Sequence, residues 1–161
     1  MKALMMTKYG DALSSLEVQE VSTPKVGDNQ ILIKVHSASF NPFDYKLLRG
    51  DFKAMKKIQF PQGIGRDVSG VVEKVGKKVK TFKVGDKVYS RIDESFAGTM
   101  AEYVISNASD SANIPSNLSH EESAGVPLAG LTAYQALTDV VKLSKGERIL
   151  IHAGSGGVGT F

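Results

Sequence analysis

The residues best suited to chemistry lie near the end of the chain. Ile149, Leu150 and Ile151 form a continuous apolar run, the pattern of a strand buried on both faces of a parallel sheet. Gly154, Gly156 and Gly159 follow in the order G-x-G-x-x-G. Glycines at this spacing allow a tight turn and a close approach of backbone to a pyrophosphate. The helix that follows such a loop offers its free N–H groups to that anion. The backbone from Gly154 through Ser155, Gly156, Gly157 and Val158 to Gly159 is therefore a candidate cradle for a dinucleotide. The chain ends at Phe161, where that helix would begin. The residue that would choose between NADH and NADPH, roughly 20 positions beyond the glycines, falls past that point.

A second group is Asn41-Pro42-Phe43-Asp44-Tyr45. The Asn41 amide can donate to a bound carbonyl, and it can equally cap the helix that Pro42 starts; the two roles are compatible. Asp44 is a candidate for a structural ion pair with Arg66 or Arg49. Tyr45 could donate a proton, although no base accompanies it in sequence. There is no cysteine, which removes disulfides, thiolate metal sites and a cysteine nucleophile. The three histidines, His36, His120 and His152, are scattered without ligand spacing, so a zinc site is not expected. His120 is expected to be exposed in the first turn of a helix, and His152 to be packed or hydrogen-bonded behind a buried strand.

The elements that must position these residues can be read in order. Strands are expected over Lys2–Thr7, Leu16–Val21 and Ile31–Val35, then a short helix from Phe43 to Arg49 that Gly50 terminates. Asp51 to Gln62, with Lys53, Lys56, Lys57 and Pro61, reads as a surface loop. Further strands are expected over Asp67–Val75, Lys87–Ile92, Thr99–Ile105 and Ser111–Ile114. Gly70, inside one of them, signals a bulge or a close approach by another group. Several short strands separated by turns, before any long helix, are the pattern of a compact barrel-like all-β domain. The pattern changes at Ser119-His120-Glu121-Glu122, a capping box. Pro127 can open a further helix, with Leu131, Tyr134, Leu137 and Val141 on one apolar face. A strand over Arg148–Ala153 and the glycine loop follow. A domain boundary is expected between Pro115 and Val126.

Composition is that of an ordinary globular chain: 161 residues, 42% hydrophobic and 23% charged. No apolar run is long enough for a signal-peptide core or a bilayer span, so no membrane partner and a cytoplasmic location are expected. The net charge is +3, and lysines cluster from Lys74 to Lys87. No aromatic platform interleaves with them, which argues for solvated turns rather than a nucleic-acid surface.

Four motifs, in order, resemble those of the medium-chain dehydrogenase/reductase superfamily, in its zinc-free quinone oxidoreductase-like branch. They are Asn41-Pro42-Phe43-Asp44, Gly65-Arg66-Asp67-Val68-Ser69-Gly70-Val71-Val72, Phe82-Lys83-Val84-Gly85-Asp86-Lys87-Val88 and His152-Ala153-Gly154-Ser155-Gly156-Gly157-Val158-Gly159. Ala129-Gly130-Leu131-Thr132-Ala133-Tyr134 supports them. The resemblance implies a GroES-like β-barrel catalytic domain over residues 1–124, lacking its C-terminal return, and the start of a Rossmann NAD(P)-binding domain over 125–161. It implies an N-terminal part of an oxidoreductase that reduces a quinone or an activated alkene with NADPH or NADH. It places Asn41 and Asp44 near the nicotinamide and makes Thr132 a cofactor-facing residue. Zinc-dependent relatives carry a cysteine where this chain has Asn41 and a histidine where it has Arg66, so the resemblance implies no zinc. The chain taken alone is expected to be inactive. Without strand neighbours for Arg148–Ala153 it is expected to associate with itself as a homo-oligomer or to leave its last segment mobile. A stand-alone GroES-like module, serving binding or assembly without catalysis, is the alternative.

Overall fold

The computed structural model describes residues 1–55, 57–92 and 98–161; Lys56, part of the loop read above, lies outside them. Among the described residues, eight strands and four short α-helices are laid down in order: β1 (Lys2–Met6), α1 (Ala12–Ser15), β2 (Leu16–Glu20), β3 (Gln30–Ser39), α2 (Pro42–Arg49), β4 (Gln62–Gly63), β5 (Asp67–Val75), β6 (Lys87–Arg91), β7 (Tyr103–Asn107), β8 (Ser111–Asn113), α3 (His120–Ala124) and α4 (Pro127–Gln135). The strands make two antiparallel sheets, in the orders β2-β1-β4 and β7-β3-β5-β6-β8. Residues 100–102 tie the sheets together. Leu4 N–H donates to the Met100 carbonyl at 2.8 Å, while the Glu102 carbonyl accepts the Val35 N–H at 2.9 Å. This mixed, strand-rich architecture with helices at its end is the barrel-like domain expected from the turn spacing.

The core lies under the five-stranded sheet, where Ile31, Ile33, Val68, Val72, Val88, Ile92 and Val104 pack together. Six of these side chains are wholly inaccessible to solvent. Each contributes about 1.5–3 kcal/mol by leaving water. A smaller cluster of Met6, Leu48 and Ile64 holds α2 against the three-stranded sheet.

Two backbone features set the geometry near the site. Val35 pairs with Gly70 and Ser37 with Ser69, so His36 is the extra residue of a bulge in β3. A Cβ on Gly70 would stand 2.1 Å from the Lys34 carbonyl oxygen, so only glycine lets β3 and β5 come this close. Gly50 ends α2 with a left-handed φ of 84°.

Three expectations need correction. Residues 148–153 form no strand; they are exposed, Leu150 by 82%. A parallel strand is stable only with paired neighbours, and no described segment offers one. The apolar face read along α4 is, as expected, open, with Leu131 45%, Tyr134 64% and Val141 60% exposed. The helix passes into a π-helical stretch over Ala136–Val140. His152 is exposed rather than packed, whereas His120 is half-buried and stacks on His36, with ring centroids 4.3 Å apart and planes 12° apart. The 51–62 loop also contains the start of β4, a pairing too short for any pattern to signal.

Candidate active site

Asn41, Asp44, Arg66 and Asp67 meet where β3, α2 and β5 converge, and all four are buried. Asn41 sits just before α2 in an extended conformation, leaving its N–H free to cap. That N–H donates to Asp44 Oδ2 at 2.7 Å. The Asn41 amide group also bonds outside the helix. Its Nδ2 donates to Asp67 Oδ2 at 3.0 Å and to Ser39 Oγ at 3.3 Å. The Asn41 backbone N–H is thus met by Asp44, and its amide nitrogen is held in a buried network.

Asp44 is fully buried. Burial drives its carboxyl above the ordinary carboxylate range, opposed by the Asn41 N–H and by the nearby Arg66 charge. Of the two partners considered for Asp44, it is Arg66 whose charge reaches it; Arg49 instead bonds Asp51 at 2.9 Å. The Arg66 guanidinium also lies over the Phe43 ring, 5.2 Å from its centroid. Tyr45 is 41% exposed on the outer side of α2, with Arg49 over its ring at 5.9 Å.

Asp67 is the residue that the sequence reading left without a role. Its carboxylate accepts from Asn41 Nδ2, from Ser39 Oγ at 3.3 Å and from the Leu128 N–H at 3.1 Å to each oxygen. Burial raises its pKa against these bonds, and Asp44 raises it further. A carboxylate in a G-R-D motif ahead of a strand is a visible signal, but its helix partner lies 61 residues away and no local pattern names it.

Above this network opens a cavity of about 400 Å³ lined by Phe43, Arg66, Arg91, Leu128, Leu131, Thr132 and Gln135. It brings β5, β6, α2 and α4 to one place. Phe43, Leu128 and Leu131 give it apolar walls, and Arg66 and Arg91 give it cationic ones. Thr132 lines it, with its hydroxyl donating to the Leu128 carbonyl at 2.7 Å, so the backbone bond and the cavity position coexist. Asn41, Asp44 and Tyr45 are not among its lining residues.

The glycine loop is apart from this cavity. Gly156 N–H donates to the Ala153 carbonyl at 2.8 Å and Thr160 N–H to the Gly156 carbonyl at 3.0 Å, so Gly154, Ser155, Gly156, Gly157, Val158 and Gly159 form successive turns. A Cβ on Gly159 would meet the Ala153 oxygen at 2.5 Å. In this form the loop folds back onto itself, with the Gly156 N–H occupied by the Ala153 carbonyl. Among the described residues no three histidine or acidic side chains converge as metal ligands, and no helix is long and apolar enough to cross a membrane.

The barrel and the cleft at its edge define a GroES-like module of the dehydrogenase type. Residues 27–116 match the family model of the alcohol dehydrogenase GroES-like domain, and the chain belongs to that family. It is 40% identical over 167 residues to a 2-methylene-furan-3-one reductase of Solanum lycopersicum, covering 100% of this chain and 42% of the relative. The structure of the quinone oxidoreductase from Coxiella burnetii superposes with a TM-score of 0.87 at 40% identity, over 99% of this chain and 51% of that one. A mycobacterial protein complexed with NADPH superposes with a TM-score of 0.85 at 33% identity, over 99% of this chain and 47% of the other. The chain thus spans about half the length of the relatives it matches.

Proposed function

We propose that this chain is the N-terminal part of a zinc-independent, NAD(P)H-dependent oxidoreductase that reduces a quinone or an activated alkene. Residues 1–124 are the catalytic domain and 125–161 begin the cofactor domain. The observation that carries this reading is the cavity between the barrel and α4, with apolar walls, two arginines and Thr132 on one rim. Such a cavity suits a flat, conjugated acceptor: apolar side chains exclude water and the cations stabilise charge that develops on a carbonyl oxygen. A nicotinamide, when bound, would supply the hydride. The relatives named above, a quinone oxidoreductase, an enone-type reductase and a protein holding NADPH, support the same class. Zinc independence rests on the donor set. Asn41 and Arg66 stand where zinc-dependent relatives carry ligands, and here one is bonded to Asp67 and the other lies over Phe43.

The test is an NADPH-oxidation assay on the complete protein encoded by the gene, with a benzoquinone and an α,β-unsaturated ketone as acceptors, before and after dialysis against a chelator. Turnover of either acceptor, unchanged by chelation, is expected. Loss of activity on chelation overturns the metal-free reading. No turnover and no NADPH binding by the complete protein would favour a binding module instead.

A further inference from the structure

Helix α4 has an unusual start. The residue before it, Val126, has no side-chain acceptor, adopts a helical conformation and makes no capping bond. The open N–H of Leu128 is met from outside the helix by both oxygens of Asp67, each at 3.1 Å. Asp67 is wholly buried, and its other partners come from β3 (Ser39) and from the residue that caps α2 (Asn41). One carboxylate therefore joins three elements, with its charge set at the positive end of α4. Two residues along the same face of β5, Ser69 donates to the His120 carbonyl at 2.6 Å and so ties α3 to the same strand, there as donor rather than acceptor. Apolar packing adds little to this attachment. Pro127 and Ala129 are buried, but Leu131 and Tyr134, one turn further on, are 45% and 64% exposed. Thr132 and Gln135 on the cavity rim follow Leu128 by one and two turns, so their distance from Arg66 depends on where the first turn is held.

We propose that Asp67 is a positioning residue that pins the first turn of α4 to the barrel and so sets the width of the cavity between Arg66 and Thr132. Asp67 touches neither substrate nor cofactor in this role; it acts through Leu128. The functional half of the inference rests on the oxidoreductase reading, while the pin itself does not.

The experiment uses the complete protein with Asp67→Ala and Asp67→Asn, and has two readouts. The first is hydrogen exchange in the peptide that contains Leu128. The second is the KM for NADPH set against kcat. Asp67→Ala removes the acceptor. It is expected to speed Leu128 exchange and to raise KM by about 10- to 100-fold, the loss of one charge-assisted hydrogen bond, with a much smaller change in kcat. Asp67→Asn keeps one acceptor oxygen without the charge, so both effects are expected to be smaller and in the same order. Unchanged Leu128 exchange in the variants overturns the pin. Faster exchange with an unchanged KM overturns the positioning role. Should Asp67→Ala not fold, Asp67→Asn decides alone, and an unchanged KM and exchange rate in it overturn the proposal. If the unsubstituted protein binds no NADPH, the oxidoreductase reading has failed, and Leu128 exchange still decides whether Asp67 holds the helix.

Discussion

At the scale of single residues, Asp44 shows how a buried carboxyl can be tolerated without being stabilising. It is fully buried, and the Asn41 N–H and the Arg66 charge only partly offset its loss of water. Its folded pKa therefore lies above the ordinary value of 3.8. A carboxyl raised on folding binds its proton more tightly in the folded state, so stability is greatest below pH 3.8 and is lost as pH rises through the raised value. The cost grows as pH rises above 3.8. Asp44→Asn keeps an oxygen for the Asn41 N–H and removes this titration. Its urea midpoint is expected to vary less between pH 4 and pH 7 than that of the unsubstituted protein, with the gain largest at pH 7. Equal slopes would show that Asp44 is not the group responsible. Some residue roles were legible in the chain. Gly70 signalled a close approach, and the Lys34 carbonyl is what approaches. A cap ahead of α2 was legible from Asn41-Pro42, although it is Asp44, expected in an ion pair, that meets the Asn41 N–H. The fate of the Asn41 side chain was not, since Asp67 enters from another strand.

Among elements, α3 joins the barrel to α4 and is made by short-range chemistry. Ser119 Oγ accepts the Glu122 N–H at 3.2 Å and Glu122 Oε2 accepts the Ser119 N–H at 2.8 Å, the reciprocal cap that the sequence spells out. What fixes α3 to the sheet is long-range. His120 stacks on His36 from the β3 bulge and lies 3.2 Å from Ser69 Oγ. Burial, followed by the charges of His36 and Lys87, holds the His120 imidazole below its ordinary value of 6.5, with Glu121 opposing. A histidine lowered on folding gives full stability above pH 6.5 and loses it as pH falls through the lowered value. Acidification is therefore expected to loosen α3, seen as faster exchange of the 120–125 amides, and His120→Phe is expected to abolish that dependence while keeping the stack. Retention of the dependence in His120→Phe would assign it elsewhere. Sequence periodicity placed most of the strands within a residue or two because their alternation is local. It failed for 148–153, whose apolar run describes an environment that the described chain does not supply.

For the molecule as a whole, the core under the five-stranded sheet is closed to solvent and the segment beyond α4 is open to it. Ile149, Leu150 and Ile151 are 45%, 82% and 51% exposed, an apolar strip of the kind that drives association. The 161-residue chain is expected to show concentration-dependent light scattering, and Leu150→Lys is expected to reduce it. An unchanged scattering profile would mean that another surface is responsible. The same segment accounts for the expected inability of this chain alone to retain NADPH, because its glycines close on each other.

The bulge at His36 also has a consequence for how this chain can change over generations. One extra residue in β3 stands between Val35 and Ser37 without a ladder partner, and beyond it Ser37 faces Ser69 and Ser39 faces Asp67. Replacing His36 by another side chain leaves those pairs intact. Deleting it joins Val35 to Ser37 in a regular ladder with the same pairs on the same faces, and removes only the ring on which His120 stacks. Position 36 is thus open both to substitution and to loss, so in descendants of this gene the residues that meet Asp67 should persist longer than the length of the 31–41 segment.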